Sequence, residues 1–224
     1  NIEAALSRLP SMGRHTEVIF VEGHSSDGTW EEVERVMAEN PHLDTKLFRQ
    51  AGTGKGDAVR TGFSYATGDV LMILDADLTV PPEDLPKFLE IITSGKGEYV
   101  NGSRLIYGME DQAMRFLNYL ANHLFAYIFT YLINQKLTDT LCGTKVVRRQ
   151  DYERIAANRN YFGDFDPFGD FDLIFGASKL NLKFVEVPIR YGSRRYGETQ
   201  ISRFRHGLLL LKMVFFAYRK LKSI

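Results

Sequence analysis

Segments typical of buried strands alternate with segments typical of helices along the first hundred residues, and this alternation constrains the fold most strongly. Apolar runs at residues 18–21 and 70–74 have the strand pattern. The other elements of this region are strands at 46–49 and 99–103 and helices at 29–39, 57–66 and 81–93. This order predicts an α/β fold with a mostly parallel sheet and helices on both faces. Ligands of such sheets bind beyond the carboxyl ends of the strands.

Length and composition favour one globular domain. The chain has 224 residues, 44% of them hydrophobic and 25% charged, and no repeat or linker divides it. Its second half is more helical, with one late strand at 183–190 and an amphipathic helix at 201–224. We therefore interpret 1–224 as a single domain. Lys+Arg and Asp+Glu both number 28, so the net charge of zero gives no support for nucleic-acid binding.

Two features bear on where the protein works. Cys142 is the only cysteine, which excludes an internal disulfide and fits a reducing compartment such as the cytoplasm. Residues 116–135 carry no formal charge, and a run of this length can span a bilayer. Several amide side chains and His123 lie within the run, however, and such groups are costly in lipid. We interpret the segment as a helix buried in protein or lying at a membrane interface.

Asp75-Ala76-Asp77 follows the apolar run at 70–74 and is the most informative short motif. Two carboxylates at positions i and i+2, at the end of a strand, form a compact group of oxygens. Mg²⁺ and Mn²⁺ prefer such ligands, together with substrate phosphates and water. A metal held there would neutralise a diphosphate leaving group. The tripeptide alone fits equally well a pair of loop aspartates that cap the next helix.

Motifs in a fixed order surround this tripeptide. They lie at 18–21, 25–29, 54–58, 66–69, 74–78, 101–104, 139–145, 186–189 and 194–199. In this order they resemble family 2 glycosyltransferases of the GT-A fold, and among these the polyprenyl-phosphate glycosyltransferases similar to dolichyl-phosphate mannosyltransferase. Each motif is weak alone, but the resemblance covers nearly the whole chain.

The resemblance implies roles at the metal and the phosphates. Asp75 and Asp77 would bind the metal and the diphosphate, with Thr79 as a third metal ligand. Arg104 and Arg194 would meet the diphosphate or the acceptor phosphate, a role that suits the planar guanidinium group. Outside these motifs, either arginine would be interpreted as a solvated surface residue.

The nucleotide side is implied by the same resemblance. Lys55 and its flanking Gly54 and Gly56 would lie near the nucleotide, and so would Glu22 and Asp27. These five residues come from two loops, one after the strand at 18–21 and one after the strand at 46–49. The Gly-rich loop falls, together with Asp75 and Asp77, at the predicted ligand-binding edge.

Two departures from the family pattern weaken the assignment of the nucleotide base. Relatives carry an acidic pair after the strand at 18–21, whereas this chain has Glu22-Gly23-His24. We interpret His24 as a turn residue. The family's first strand would precede Asn1, so we also expect the chain to lack its beginning.

The acceptor side is expected around residues 164–172, a segment rich in aspartate and phenylalanine. Asp172 falls where relatives carry an acidic residue that can act as a general base, with Asp170 beside it. A phosphate acceptor is already an anion and needs no strong base. The alternative is a turn-rich loop with solvated carboxylates.

The helix at 201–224 has basic residues around an apolar centre, which is compatible with a helix at a membrane interface. In the polyprenyl-phosphate transferases, such helices hold the enzyme where its lipid acceptor lies. Ordinary core packing explains the pattern almost as well. The resemblance therefore implies a cytoplasmic protein, peripheral at the inner face of a membrane.

An inverting glycosyltransferase is the activity that the resemblance implies. It would move a hexose from a nucleoside-diphosphate sugar to a polyprenyl phosphate with Mg²⁺ or Mn²⁺, while the sugar and the base stay open. Residues 75–79 also fit the Asp-x-Asp-x-Thr motif of haloacid-dehalogenase-type phosphatases, although that motif normally lies near the start of its fold. A sugar nucleotidyltransferase and a non-catalytic sugar-nucleotide-binding domain are the remaining alternatives.

Overall fold

A computed structural model describes residues 1–104, 116–161, 169, 171–190 and 203–222. The helices of these residues are α1 (Ile2–Ser7), α2 (Thr29–Glu39), α3 (Lys55–Tyr65), α4 (Leu85–Thr93), α5 (Phe116–Ile133), α6 (Arg149–Ala157), α7 (Phe171–Lys179) and α8 (Arg203–Leu221). The strands are β1 (Glu17–Glu22), β2 (Asp44–Arg49), β3 (Val70–Met72), β4 (Tyr99–Ser103), β5 (Lys145–Arg148) and β6 (Phe184–Pro188). Short 3₁₀ turns at Pro82–Asp84 and Arg159–Tyr161 complete the described elements.

The strands form two sheets. β1 and β2 pair in parallel, with Glu17 opposite Asp44 and Glu22 opposite Arg49. The second sheet has the order β3-β5-β4-β6. β5 is antiparallel to both of its neighbours, and β4 is parallel to β6, so β3, β4 and β6 all run in one direction. The predicted α/β fold with a mostly parallel sheet is therefore confirmed, with one reversed strand.

Of the described strands, β5 is the one that the sequence analysis did not predict. Only Val146 and Val147 form its apolar centre, because Lys145 and Arg148 occupy its ends, and a pattern this short is ambiguous. The structure nevertheless buries Lys145, and its ammonium group donates to the carbonyl oxygen of Cys142. A charged residue can occupy a buried strand when a backbone acceptor of this kind is at hand.

Two apolar clusters lie on opposite faces of the four-stranded sheet. On one face, Phe129 of α5 packs against Phe171 and Phe175 of α7, with ring centroids 5.1 and 5.8 Å away. On the other face, Phe88 and Ile92 of α4 pack in the second cluster. Helices therefore cover both faces of this sheet, as predicted.

α5 and α8 contact each other and each buries only one side. Phe125, Phe129 and Leu132 of α5 face the core, whereas Leu124 and Tyr127 are 57% and 77% exposed. None of the described helices has both the length and the apolarity that crossing a membrane requires. The segment at 116–135 was predicted as a helix buried in protein or lying at a membrane interface; α5 covers 116–133 and buries one side in the protein.

Candidate active site

Asp75 and Asp77 lie in the turn after β3, beyond the carboxyl end of that strand. The N–H of Leu78 donates to the carbonyl oxygen of Asp75 at 3.0 Å, and Leu78 has a positive φ of 53°. Thr79 donates both its backbone N–H and its hydroxyl to Asp77 Oδ1, at 3.1 and 2.8 Å. The Asp75 side chain is 30% exposed. The turn thus presents both carboxylates at the edge where ligands of α/β sheets bind.

Lys55 and Gly143 meet Asp75. Lys55 Nζ lies 2.8 Å from Asp75 Oδ1. A Cβ atom added to Gly143 would lie 2.6 Å from both Lys55 Nζ and Asp75 Cγ, so no larger residue fits without displacement. The start of α3, the turn after β3 and the loop before β5 therefore converge at one point. Gly143 lies in a motif at 139–145, but no local pattern assigns it to the site.

The Gly-rich loop brings α3 close to a distant part of the chain. Gly54 precedes α3 and has a φ of 83°, a conformation that favours glycine. A Cβ atom on Gly56 would lie 2.8 Å from the Cα atom of Gly169, so the two backbones pack directly against each other. Asp57 Oδ2 accepts the N–H of Gly52 at 2.7 Å and holds the loop. The N-terminus of α3, a favourable place for a phosphate, thus lies next to Asp75.

The residues present fit a divalent cation that substrate helps to bind. No group of three or more His, Cys, Asp or Glu side chains suited to a metal occurs in the described part of the chain. Mg²⁺ and Mn²⁺ sites of enzymes that use phosphate substrates often have only one or two carboxylates, with phosphate oxygens and water completing the coordination. Asp75 and Asp77 supply that number. The hydroxyl of Thr79, the predicted third ligand, donates to Asp77.

Glu22 and Asp27 lie after β1, in the loop predicted to be near the nucleotide. Glu22 is buried, accepts the N–H of Ser25 and lies 3.5 Å from Arg49 Nε. The hydrogen bond from Ser25 lowers the pKa of Glu22. Its Oε2 has no hydrogen-bond donor among the described residues. Asp27 instead accepts the hydroxyl of Thr29, the first residue of α2, at 2.6 Å.

Arg104 follows β4 and is paired with a carboxylate. Its Nε and Nη2 donate to the two oxygens of Asp139 at 2.6 and 2.8 Å. Burial alone would raise the pKa of Asp139, but the hydrogen bonds and charge of Arg104 outweigh it and lower that pKa. The side chain of Arg104 is 12% exposed. This pair therefore fixes the orientation of Arg104 at the carboxyl end of β4.

Glu186 supports this pair from β6. Its carboxylate accepts the N–H groups of Thr138 and Asp139, at 2.8–3.2 Å. Asn101 donates to the carbonyl oxygen of Asp139 at 2.7 Å. Burial raises the pKa of Glu186 despite these bonds. The resemblance included residue 186 in a motif, but which main-chain groups it would hold depends on a loop far away in sequence.

The acceptor-side residues are only partly described. Asp172 lies in the first turn of α7 and accepts a hydrogen bond from Arg159 Nε at 3.1 Å. The Asp172 side chain is 10% exposed. Gly169, three residues earlier, packs on Gly56, so the chain before α7 passes the N-terminus of α3. Arg194, Asp170 and the acidic residues at 164 and 166 lie outside the described residues.

The chain matches a known protein family over most of its length. The model described as Glycosyl transferase family 2 matches residues 1–156. Among curated proteins, the chain is 29% identical over 209 residues to a dolichol-phosphate mannosyltransferase of Pyrococcus furiosus, with 90% of this chain and 56% of that protein covered. The chain thus spans little more than half the length of this relative.

Two further curated relatives are matched over more of their length. A dolichyl-phosphate hexose transferase of Haloferax volcanii is 30% identical over 198 residues, covering 88% of this chain and 79% of the relative. An undecaprenyl-phosphate mannosyltransferase of Micrococcus luteus is 28% identical over 211 residues, covering 90% and 82%.

Solved structures share the fold at lower identity. Glucosyl-3-phosphoglycerate synthase from Mycobacterium tuberculosis, in complex with Mn²⁺, UDP and glucosyl-3-phosphoglycerate, superposes with a TM-score of 0.64 at 15% identity. The match covers 98% of this chain and 75% of that one. A mannosyltransferase from Pyrobaculum calidifontis, in complex with GDP-Man and Mn²⁺, gives 0.53 at 16% identity, with 89% and 60% covered. At these identities the likeness shows a GT-A fold.

Proposed function

The chain belongs to glycosyl transferase family 2, and on that premise we propose that it transfers a hexose from a nucleoside-diphosphate sugar to a polyprenyl phosphate, with inversion at the sugar. The family membership favours this reaction over the phosphatase and nucleotidyltransferase alternatives. The names of the Pyrococcus, Haloferax and Micrococcus relatives support the acceptor class. The donor sugar and the base are left open.

The observation that carries the proposal is the convergence of Lys55, Asp75 and Gly143 at the carboxyl end of β3. A cation and a carboxylate in contact, both about 30% exposed, can separate when a charged ligand enters. Lys55 can then donate to the diphosphate, while the N–H groups at the start of α3 point at the same anion. Gly143 leaves the room that this approach requires.

Asp75 and Asp77 would hold a divalent cation, with Thr79 keeping Asp77 in place through two hydrogen bonds. When bound, the cation supplies positive charge that stabilises the departing diphosphate. The Mn²⁺ in two of the structural relatives supports a divalent cation in this fold.

The remaining sequence-assigned residues keep their proposed roles around this centre. Glu22, whose Oε2 lacks a donor among the described residues, would accept an N–H or hydroxyl of the nucleoside, with Asp27 on the same loop. Arg104 and Arg194 would bind phosphate oxygens. Asp172 would lie on the acceptor side, where a phosphate acceptor needs no proton removed.

We also propose that 1–224 is one catalytic domain whose α5 and α8 contact a membrane surface. Their exposed large side chains lie at helical spacing, and each is between 49% and 77% exposed. They are Leu120, Leu124, Tyr127 and Tyr131 on α5, and Leu208, Leu211, Phe215 and Tyr218 on α8. Lys212, Arg219 and Lys222 lie on α8 or directly after it. Apolar and basic residues together are typical of helices at anionic interfaces.

The activity is tested with a panel of nucleoside-diphosphate sugars, Mn²⁺ or Mg²⁺, and a polyprenyl phosphate in detergent. We expect one donor to release its nucleoside diphosphate and to label the lipid, and Asp77→Ala to lose nearly all turnover. Asp44→Asn is the matched control. It removes a carboxylate at the amino end of β2, away from the carboxyl ends of the strands where the site lies, and should keep full activity. Substantial metal-independent turnover by Asp77→Ala would overturn the assignment, and nucleotide binding without transfer would favour the non-catalytic alternative.

A further inference from the structure

A cleft of about 620 Å³ lies between α3 and α6 and is separate from the candidate active site. Arg149 lines it directly after Arg148, which pairs with Val70 at the amino end of β3. Asp75 lies beyond the other end of that strand. Arg60, on the α3 side of the cleft, is five residues after Lys55, a rise of about 7.5 Å along a helix.

Positive charge dominates the lining. Arg60, Arg149 and Arg159 all line the cleft, whereas Glu153 is its only acidic residue among the described residues. No hydrogen bond or ion pair holds the guanidinium group of Arg149 within the described part of the chain. Like charges gathered in one concave site repel each other, and an anion between them removes that repulsion.

Arg60 has one long ion-pair contact, and Arg159 donates hydrogen bonds through two of its nitrogen atoms. Arg60 Nη2 lies 3.8 Å from Asp57 Oδ1, and the Arg60 side chain is 36% exposed. Arg159 donates through Nε to Asp172 and through Nη2 to the hydroxyl of Tyr152, at 3.1 and 3.4 Å. These contacts orient the two side chains, and the Arg159 side chain remains 25% exposed. Phosphate oxygens are the anionic acceptors that guanidinium groups match best.

The other part of the lining is apolar. Phe63 and Tyr152 meet edge to face, with ring centroids 4.9 Å apart, and Ala66 and Ala156 line the cleft beside them. The volume is that of a site for a small organic molecule rather than a bare phosphate. The lining therefore combines basic residues with apolar ones, and Thr61 and Ser64 also belong to it.

We propose that this cleft binds a phosphate-bearing amphiphile, with its phosphate on Arg60, Arg149 and Arg159 and its apolar group on Phe63 and Ala156. The ligand is either a soluble organic phosphate or a lipid headgroup with the adjoining part of its chain. Because Arg159 also bonds Asp172, the ligand competes for a group that holds the start of α7. The cleft is not lined by Lys55 or Asp75, but Arg159 links it to Asp172, which is proposed to lie on the acceptor side.

Calorimetric titration with octyl phosphate and with glycerol 3-phosphate tests this inference. Octyl phosphate should bind saturably below roughly 10 mM and more tightly than glycerol 3-phosphate, because only octyl phosphate fills the apolar part. Arg149→Gln and Arg60→Gln should each weaken octyl phosphate by about tenfold. Arg154→Gln is the matched control: it lies on the same helix, bonds Asp151 and does not line the cleft, so affinity should stay within about twofold.

Vesicles that contain phosphatidic acid distinguish the two sources of the ligand. A lipid source predicts that Arg149→Gln weakens flotation with these vesicles, whereas a soluble source predicts unchanged flotation together with the tenfold loss for octyl phosphate. The proposal is overturned if octyl phosphate does not saturate, or if Arg154→Gln weakens it as much as Arg149→Gln does. It is also overturned if Arg104→Gln abolishes binding while Arg149→Gln does not, because the ligand then occupies the phosphate site proposed for the transfer reaction.

Discussion

Two lysine–carboxylate pairs, Lys46–Glu17 and Lys55–Asp75, differ in their surroundings. One lies at the amino end of a strand and the other beyond the carboxyl end of another strand. At the amino end of β1, Lys46 Nζ lies 2.6 Å from Glu17 Oε2, and the Glu17 side chain is 9% exposed. Beyond the carboxyl end of β3, Lys55 Nζ lies 2.8 Å from Asp75 Oδ1, and both side chains are about 30% exposed. The two pairs are similar in chemistry and in distance, so their surroundings must account for any difference in role.

Backbone donors complete the first pair. Glu17 Oε1 accepts the N–H of Thr67 at 2.5 Å and the N–H of Gly68 at 2.7 Å, which ties the connection between α3 and β3 to β1. Burial alone would raise the pKa of Glu17, but the hydrogen bonds from Lys46, Thr67 and Gly68 outweigh it and lower the pKa to about 2. This pair therefore stabilises the fold.

The pair at Asp75 is surrounded by glycine instead. Gly143 packs on both members of the pair, and Gly54 and Gly56 flank Lys55, so backbone rather than bulky side chains borders the charges. A ligand can reach such a pair and exchange partners with it. Accessibility, rather than the ion pair itself, therefore distinguishes the end that is proposed to be functional from the stabilising end.

The largest effect is expected for Asp75→Asn. Removing the charge that faces both Lys55 and the proposed cation should lower kcat by about 1000-fold. The free energy of unfolding should change by less than about 1 kcal/mol, because the pair is partly exposed. Steady-state kinetics and urea titration measure the two quantities. A large loss of stability with kcat unchanged would assign this pair the role given to Glu17.

Gly143→Ala should follow, with activity lower by about 100-fold, because a displacement of roughly 1 Å at reacting groups has such effects. The added Cβ would lie 2.6 Å from Lys55 Nζ and must push the pair apart. Gly95→Ala is a control for the general cost of replacing a glycine, since nothing lies within 4 Å of a Cβ there, although its φ of 71° adds strain. Kinetic constants for both variants give the comparison. Full activity of Gly143→Ala would show that the Lys55–Asp75 pair does not depend on the absence of a side chain at position 143.

Glu17→Gln should act on stability and leave transfer unchanged. The amide keeps one acceptor oxygen but loses the charge that Lys46 and the two N–H groups face, at a cost of about 1–3 kcal/mol. Urea denaturation at neutral pH measures this cost. The matched variant is Glu90→Gln, whose partner Lys96 is exposed and whose loss should cost less than about 1 kcal/mol. Equal costs for the two variants would refute the distinct role of Glu17.

The smallest expected effect is the pH dependence of the difference in unfolding free energy between the wild type and Glu17→Gln. The pKa of Glu17 is lowered from 4.5 to about 2 in the folded protein, so its stabilising contribution is present above the higher value and is lost as the pH falls towards the lower one. Unfolding free energies of the wild type and Glu17→Gln should therefore converge between pH 4.5 and pH 2. A constant difference over this range would contradict the assignment.

Most strands and helices of the first hundred residues could be predicted from the sequence, because local hydrophobic patterns and turn residues determine them. The predicted strand at 99–103 and the predicted helix at 29–39 match β4 and α2 to the residue. The predicted strand at 70–74 is shorter in the structure, ending at Met72, although the N–H of Ile73 still donates to Lys145. β5 was missed because its pairing partners, rather than its own four residues, determine it.

The candidate site likewise contains residues that local patterns predict and residues whose contacts depend on distant parts of the chain. Asp75 and Lys55 were predicted to lie at one edge, and the structure brings them into contact. Gly143 and Glu186 act on residues far away in sequence, and no local pattern indicates which groups they contact. Arg104 was predicted from its motif, yet its bond to the buried Asp139 depends on the loop before β5.

Binding of Mn²⁺, followed by electron paramagnetic resonance with GDP and separately with UDP, tests the central claim most directly. If Asp75 and Asp77 form a metal–diphosphate site, one nucleotide should tighten Mn²⁺ binding by at least about tenfold, since its phosphates complete the coordination. Asp77→Ala should lose that gain while Asp44→Asn keeps it. Equal Mn²⁺ binding by the wild type and Asp77→Ala, with either nucleotide, would contradict the account.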